Sequence, residues 1–403
     1  MIQSKMHFLL ASVVLLMLLS HDGTAQPKKV DQLYPLWTGG VIPTSNAVPV
    51  LKHVKFIEIK KYEPQVDHYR FLHGVAIARF RHEWVVSFGH NKGAENTGSE
   101  EAQSMFSKSG RHWGDLHTID NPAGDVAVSH GVLLNFQDTL WSFNASFEGV
   151  MQHMQTNAYC WDADKSNWVP KGVNVADGFW PLQEPQRMRN GSWIMAGAFF
   201  AKQGTIPAVA ICKENDFRHW QVNKVPVFVD VWGECGVILN GANVLLIARS
   251  SMNTPKFKGH SHPLAWVSLS KDYGQTWSKL GPSNLPMAAS KPYTGTLSNG
   301  QHYLIGTTTA DAKNNRRPLT IAVSKPGENS FSKIYAIRRA LHKGRKVESN
   351  AGASLAYPYA VEYKGALYVV YSNSGGRGGA QRASWNNNSA ELAIIPIKEL
   401  RAD

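Results

Sequence analysis

Four ionisable residues stand at the ends of apolar, strand-like runs. Glu234 precedes one run, Arg249 ends the next, Arg316 precedes a third, and Tyr357 begins a fourth. Planar guanidinium groups bind carboxylates through paired, charge-assisted hydrogen bonds. A tyrosine activated by a neighbouring glutamate can act as a nucleophile, and an uncharged phenol is not repelled by an anionic substrate. Taken singly, each residue has a simpler structural interpretation, because arginines at strand ends are usually solvated and a tyrosine can belong to the core.

Two histidines and two glutamates could transfer protons. His73 and His90 lie in the first third of the chain, and the segment 91–101 that follows contains Glu95 and Glu100 but no aspartate. Histidine and glutamate are common general acids and bases. The simpler interpretation of a histidine at a strand end is a hydrogen-bonded structural residue.

The segment 178–187 is rich in side chains that stack on sugars or bind their hydroxyls. It contains Trp180, Gln183 and Glu184 just before a strand pair. We predict that these three residues form a wall of a pocket, with Trp232 as a further apolar platform. Core packing is the alternative for a tryptophan.

Short strands must position these residues. Short apolar runs alternate with turns such as 189–191, 297–300 and 363–365 along the whole chain, with hardly any helical periodicity. This pattern predicts an all-β fold in which residues 26–403 form one β-propeller of four-stranded blades. At about 55 to 65 residues per blade the ring has six blades, or seven if the blades are compact. The run 390–397 is expected to pair with early strands and close the ring.

One turn motif is sharper than this periodicity. The segment 270–277 reads Ser-Lys-Asp-Tyr-Gly-Gln-Thr-Trp, which fits the Asp-box pattern at every defined position. In such a turn the aspartate accepts backbone N–H bonds, the glycine permits a tight bend and the tryptophan packs between strands. Weaker copies occur at 107–113 and 216–220. The motif stabilises a fold and carries no catalytic information.

The first 25 residues predict export. Lys5 precedes an apolar run, and Gly-Thr-Ala stands before Gln26, so cleavage of a signal peptide is predicted after Ala25. No later segment approaches the apolar length of a membrane-spanning helix. We expect a secreted or periplasmic monomer that does not insert into a membrane.

The net charge of +12 favours an anionic partner. Export and the absence of a Lys/Arg-dense helix or an aromatic RNA-binding motif argue against nucleic acid, so an anionic glycan or polysaccharide is expected. Evenly spread charge that only maintains solubility is the alternative.

Cys160, Cys212 and Cys235 are predicted to be buried free thiols. No metal or other cofactor is expected, although a Ca²⁺ held by loop carbonyls would leave no readable spacing.

From Tyr69 to Tyr371 the chain resembles the sialidases, whose six-bladed propellers bind a carboxylate with three arginines. The stretch 233–249 is similar to the sialidase segment that bears a glutamate and an arginine, and 315–324 and 356–371 are similar to the third-arginine and nucleophile segments. The resemblance implies that Tyr357 is the nucleophile and Glu234 its base. Tyr359 and Tyr363 are neighbours that could be mistaken for Tyr357.

The same resemblance implies a carboxylate clamp of Arg70, Arg249 and Arg316, with Arg317 as the fallback for Arg316. Arg70 is carried over although Phe71-Leu72 replaces the family's Ile-Pro. The family's acidic aspartate has no counterpart, and Glu95 or Glu100 is expected in its place. The function implied is that of a secreted glycosidase that releases a terminal acidic sugar.

Two other functions remain open. A lyase or an atypical hydrolase of uronate polysaccharides would use His73 or His90 in proton transfer beside a tyrosine, and a lyase would release an unsaturated, ultraviolet-absorbing product. A non-catalytic glycan-binding propeller would keep the arginines and lack the acid. The missing aspartate is the main argument for this second alternative.

Overall fold

The computed structural model describes residues 32–121, 124–202, 204–251, 254, 260, 262–313, 315–340, 352–374 and 388–403. The predicted signal peptide, residues 1–25, lies outside the described residues. Leu33–Asp403 forms one compact unit. In the described part of the chain, no helix is long and apolar enough to cross a membrane.

The regular elements of the described residues are almost all strands. In chain order they are β1 (Lys55–Lys60), β2 (Phe71–Phe80), β3 (Glu83–Asn91), β4 (Glu100–Ser107), β5 (His117–Asp120), β6 (Val126–Phe136), β7 (Thr139–Glu148), β8 (Gln152–Asp162), β9 (Asn167–Val175), β10 (Phe179–Pro181), β11 (Gln186–Arg187), β12 (Trp193–Ala201), β13 (Gly204–Cys212), β14 (Gln221–Lys224), β15 (Val231–Asn240), β16 (Asn243–Ser250), β17 (Leu264–Ser270), β18 (Gly281–Pro286), β19 (Tyr293–Thr296), β20 (Gln301–Gly306), β21 (Leu319–Pro326), β22 (Phe331–Arg338), β23 (Ser354–Tyr363), β24 (Ala366–Ser374) and β25 (Asn388–Pro396). The helical elements are the one-turn helix α1 (Pro64–Asp67) and a 3₁₀ turn, Ile397–Glu399.

These strands form six antiparallel sheets, which are the blades of the propeller. Blade 1 has the order β2-β3-β4-β5, blade 2 β6-β7-β8-β9, blade 3 β10-β12-β13-β14 with β11 also on β12, blade 4 β15-β16-β17-β18 and blade 5 β19-β20-β21-β22. Blade 6 is built from β23, β24, β25 and β1. The predicted all-β propeller is confirmed, with six blades rather than the alternative of seven.

Blade 6 combines strands from the two ends of the described chain. β1 pairs antiparallel with β25, from Lys55 opposite Ile394 to Lys60 opposite Ala390. The expected pairing of the run 390–397 with an early strand is therefore confirmed. This pairing joins the two ends of the described chain in one blade and so closes the ring of blades.

The Asp-box at 270–277 is the turn between β17 and β18. Asp272 accepts bonds from the backbone N of Thr276 at 2.9 Å and from the hydroxyl of Ser270 at 2.7 Å. Gly274 has a φ of +78°, and its carbonyl accepts a bond from Trp277 Nε1 at 3.0 Å. The weaker copies at 107–113 and 216–220 occupy the equivalent turns, β4–β5 and β13–β14. The motif therefore joins the two outer strands of a blade, as its predicted folding role requires.

The cysteines are buried free thiols, as predicted. Cys160, Cys212 and Cys235 are all buried and unpaired by disulfides. Burial raises the pKa of Cys235 to about 12, so this thiol stays protonated and unreactive at neutral pH.

Candidate functional site

Irregularities in the first strands of four blades carry the central residues of the site. The pairing register shifts between His73 and Ala76 in β2, between Val128 and Gly131 in β6, and between Val231 and Cys235 in β15. In β23 the shift lies between Ala356 and Tyr359. Such bulges redirect side chains out of the regular alternation of a strand and are common beside active sites. Here they carry four residues whose side chains lie in or beside one cavity: His73, His130, Glu234 and Tyr357.

The cavity has a volume of about 450 Å³, within the usual range for small-molecule sites. One group of lining residues is polar or charged: Glu95, Asn96, His130, Asp230, Glu234, Arg249, Ser251, Arg316 and Tyr357. The other group is apolar: Met151, Trp180, Leu182, Ala198, Phe200 and Trp232. The cavity therefore presents both charged groups and an apolar surface to a ligand.

Tyr357, Glu234 and Arg249 form a hydrogen-bonded chain in this cavity. The hydroxyl of Tyr357 donates to Oε1 of Glu234, while Arg249 Nη1 donates to Oε2 at 2.7 Å. All three residues are buried. Tyr357 has a φ of +53°, a left-handed conformation that is strained for a residue with a side chain and is found preferentially at functional sites.

Burial and the negative charge of Glu234 raise the pKa of Tyr357 well above its usual value. The phenol is thus neutral in the resting protein, and its proton has an acceptor already in contact. Burial is the largest single influence on the pKa of Arg249 and lowers it, but the charges and hydrogen bonds of Glu234 and Tyr357 together raise it above its usual value. Glu234, which Arg249 holds in place, is therefore the group that can accept the proton of the phenol.

Arg316 approaches the same tyrosine from another blade. Its backbone oxygen accepts a bond from Leu355 N at 2.8 Å, and its guanidinium carbon lies 5.5 Å from the centre of the Tyr357 ring. Arg317 instead donates from Nη1 to the carbonyl of Gly352 at 3.2 Å and does not line the cavity. Of the two arginines, Arg316 is the one that lines the cavity.

Glu95 also lines the cavity, on the loop between β3 and β4. Asn91 holds this loop, since its amide nitrogen donates to the carbonyl of Ala94 at 2.8 Å and to the hydroxyl of Thr97 at 2.9 Å. Burial raises the pKa of Glu95, with Arg316 opposing the shift and Glu234 adding to it. A carboxyl group with a raised pKa can hold a proton for transfer.

Arg70 does not join the other arginines. Its side chain is exposed, it is absent from the cavity lining, and its backbone N donates to the carbonyl of Asn91 at 2.9 Å. That backbone bond extends the β2–β3 pairing at its end and leaves the side chain in solvent. The predicted clamp of three arginines is thus reduced to Arg249 and Arg316 in the described lining.

The two predicted histidines lie outside the lining. The ring of His73 packs on Tyr357, with the centroids 3.9 Å apart, and its Nδ1 lies 2.9 Å from the hydroxyl of Ser372. His90 is buried beneath Tyr69, with the rings stacked at 3.5 Å. His73 therefore packs against the ring of Tyr357 without lining the cavity, and His90 packs within blade 1.

The predicted pocket wall divides into two parts. Trp180 and Trp232 line the cavity, and Trp232 lies 5.8 Å from the guanidinium of Arg249. Gln183 is buried instead between blades, where its amide nitrogen donates to the carbonyl of Thr294 at 2.7 Å. The hydroxyl of Tyr293 donates to the carboxyl group of Glu184, whose two oxygens lie 2.8 and 2.9 Å from it. The two polar residues thus connect strands, and only the tryptophans face the cavity.

Sequence reasoning missed His130 and Lys291. His130 lines the cavity, and its only local signal is a histidine before Gly131 in a mostly apolar strand. Lys291 is buried, and its Nζ donates to the carbonyl of Pro358 at 2.9 Å, next to the nucleophile candidate. Burial lowers the pKa of Lys291 to about 8, with Glu234 opposing the shift. Lys291 helps to hold the strained segment at Tyr357.

Comparison with known structures supports the same fold. A protein of unknown function from Dyadobacter fermentans is 14% identical with a TM-score of 0.64, over 86% of this chain and 99% of that one. The K499G mutant of NanB sialidase from Streptococcus pneumoniae is 8% identical with a TM-score of 0.61, over 85% of this chain and 71% of that one. A Trypanosoma rangeli sialidase in complex with 2,3-difluorosialic acid, described as a covalent intermediate, is 10% identical with a TM-score of 0.60 over 88% of this chain. This chain spans 60% of the length of that sialidase.

No curated protein matches the sequence. At such low identities the structural matches show the fold alone, which is a sialidase-like six-bladed propeller. The model of the BNR repeat-like domain matches residues 89–369, more than half of the chain. The chain therefore belongs to the BNR repeat-like domain family.

Proposed function

We propose that this protein is an exported retaining glycosidase of sialidase type that releases a terminal acidic sugar from a glycan. The observation that carries the proposal is the chain from Tyr357 through Glu234 to Arg249 in a cavity that Glu95 and Arg316 also line. Tyrosine nucleophiles are the sialidase exception to the usual pair of glycosidase carboxylates.

In the first step the phenol oxygen of Tyr357 attacks the anomeric carbon and passes its proton to Glu234. Glu95 protonates the leaving oxygen as the glycosidic bond breaks. In the second step water attacks the same carbon, Glu95 takes the proton of the water, and Glu234 returns its proton to the departing phenolate. Arg249 and Arg316 hold the carboxylate of the sugar throughout.

The two alternatives have less support from the geometry. A lyase that uses His73 or His90 would need one of these rings at the substrate, and neither lines the cavity. A purely binding propeller would not need the strained Tyr357 or a hydrogen bond from its phenol to Glu234. Both alternatives nevertheless give distinct results in the experiment that follows.

The test is hydrolysis of a panel of aryl glycosides of sialic acids and uronic acids. Tyr357→Phe should lose at least about 100-fold in kcat/KM, because it lacks the attacking oxygen. Tyr359→Phe is the matched control, because Tyr359 lies on the same strand, is also buried, and does not line the cavity. Melting temperatures of both variants separate loss of chemistry from loss of folding.

A trapping experiment identifies the nucleophile directly. Incubation with 2,3-difluorosialic acid should add the sugar to the peptide that contains Tyr357, and mass spectrometry should find no such adduct in Tyr357→Phe. Full activity of Tyr357→Phe would refute the assigned role. Binding without turnover across the panel would favour the non-catalytic alternative, and an unsaturated product from a uronate polymer would favour the lyase.

A further inference from the structure

A buried hydrogen-bonded array lies beside the cavity and takes no part in the mechanism above. The hydroxyl of Ser129 donates to Oε1 of Glu100, and the same hydroxyl oxygen lies 3.2 Å from Nδ1 of His130. The second carboxyl oxygen of Glu100 accepts a bond from the backbone N of Asn96 at 3.0 Å. Glu100, Ser129 and His130 are each buried. The array therefore connects the loop that carries Glu95 to a histidine of the cavity lining.

Glycines make room for this array. A Cβ at Gly74 would lie 2.1 Å from two ring carbons of His130, and a Cβ at Gly89 would lie 2.6 Å from Oε1 of Glu100. The ring of His130 also packs against Trp180, at 4.8 Å between centroids, and against the edge of Tyr357 at 5.9 Å. The ring is therefore fixed on several sides.

The second ring nitrogen of His130, Nε2, is buried and has no hydrogen-bond partner among the described residues. Burial lowers the pKa of His130 to about 3, and the charge of Lys291 adds to the shift, so the ring is neutral. A neutral imidazole carries one proton, on either Nδ1 or Nε2. Which nitrogen carries it is decided by the hydrogen bond at Nδ1.

The bond to Glu100 decides the tautomer. Ser129 has one hydroxyl proton and gives it to the carboxylate, so toward His130 its oxygen can only accept. Nδ1 must then carry the proton, and Nε2 is left with an unshared electron pair. Burial raises the pKa of Glu100 to about 7, so above this pH the carboxylate is ionised and Nδ1 of His130 carries the proton.

We infer that Nε2 of His130 is a hydrogen-bond acceptor for one hydroxyl group of the sugar in the cavity, with its tautomer fixed by Glu100 through Ser129. This inference rests on the proposed function for the identity of the ligand as a sugar. A buried acceptor without a partner is costly, and a sugar hydroxyl supplies the donor it needs. A ligand without that hydroxyl leaves the acceptor unsatisfied, so the residue determines which sugars are bound.

The tautomer is tested in the free protein, independently of any ligand. With ¹⁵N-labelled histidine at pH 8, the spectrum of His130, assigned with His130→Phe, should show a proton on Nδ1 and an unprotonated Nε2, whose signal lies far downfield. Ser129→Ala should change this spectrum. Ser268→Ala, which removes a buried serine hydroxyl of blade 4 that donates to the carbonyl of Ser278 at 2.6 Å, is the matched control and should not change it. A proton on Nε2 at pH 8 would overturn the inference.

The hydroxyl contact is tested by binding of N-acetylneuraminic acid and its monodeoxy analogues, each lacking one hydroxyl. For the wild type, one analogue should bind about 10- to 100-fold more weakly than the parent sugar. His130→Phe should bind the parent and that analogue equally, and His130→Gln should restore part of the difference because its amide oxygen can accept.

The outcomes separate this inference from the function on which it rests. If the wild type binds these sugars and His130→Phe weakens all of them by the same factor, the residue is structural and the hydroxyl contact is wrong. If the wild type binds none of them and hydrolyses no acidic glycoside, the proposed function fails and the contact fails with it. The nitrogen spectrum still decides the tautomer in that case.

Discussion

Replacing Glu234 by glutamine removes the carboxylate charge that contacts Arg249 and Tyr357 and keeps the shape of the side chain. The charged groups of Arg249 and Glu234 are 2.7 Å apart, and their side chains are 9% and 7% exposed, respectively. At an effective dielectric constant of about 20, their direct attraction is about 6 kcal/mol, most of which offsets the cost of removing both charges from water. Breaking such a pair from one side usually costs about 3 to 5 kcal/mol.

We expect Glu234→Gln to lower the free energy of unfolding by about 3 kcal/mol, the lower end of this range, because the amide oxygen still accepts one hydrogen bond. With an unfolding entropy of about 2.1 cal/mol/K per residue, a unit the length of Leu33–Asp403 should then melt about 4 °C lower. The phenol also loses its proton acceptor, so kcat should fall about 100- to 10,000-fold. Calorimetry and hydrolysis of the aryl glycosides measure the two effects separately.

A double-mutant cycle with Arg249→Gln isolates the pair. Each single variant leaves a buried charge without its partner, whereas the double variant leaves two neutral amides that can bond to each other. The double variant should therefore be more stable than the sum of the single effects predicts, with a coupling of at least about 2 kcal/mol. Effects that add to within about 0.5 kcal/mol would refute the view that these charges stabilise each other in the cavity.

Two further predictions concern the array beside the cavity. Gly74→Ala should destabilise the fold and weaken sugar binding, because the new methyl group would collide with the ring of His130. Gly124→Ala is the control: Gly124 has a φ of +64° against +65° at Gly74 but has open space around it, so the substitution should cost only the backbone strain of about 1 to 3 kcal/mol. Equal melting temperatures and affinities in the two variants would contradict the collision. Burial raises the pKa of Glu100 from 4.5 to about 7, so the folded protein keeps a proton that the unfolded chain has released, and stability should fall by up to about 3 kcal/mol as the pH rises through this window. Glu100→Gln does not titrate, so its urea-unfolding free energy should lack this slope, and identical slopes in the two proteins would argue against a buried, proton-retaining carboxyl.

The sequence predicts the propeller because local patterns determine most of it. Short strands, polar turns and the Asp-box at 270–277 each specify a local structure, and six repeats of that structure leave few ways to close the chain. The pairing of β1 with β25 follows from the same reasoning, since a ring needs a partner for its last strand.

The site is only partly predictable because it depends on irregular backbone. The order of the segments that resemble the sialidases points to Tyr357 and Glu234. The bulge at His130, in contrast, leaves no pattern in the sequence. Arg70 illustrates the opposite error. It stands at the expected place in the order of segments, but β2 begins at the next residue, Phe71, and the side chain of Arg70 is exposed to solvent. Gln183 is likewise expected at the pocket because its side chain is polar. In the fold this side chain instead donates to backbone carbonyls of two other blades, those of Val237 and Thr294.

The closure of the ring has a consequence for how the protein is made. During synthesis β1 emerges before the strands of blades 1 to 5, and its partner β25, at Asn388–Pro396, emerges after them. Blade 6 also holds Tyr357, so we expect this phenol to reach its final position only after β25 has been made. Under the proposed function, a chain that ends before β25 should therefore be inactive.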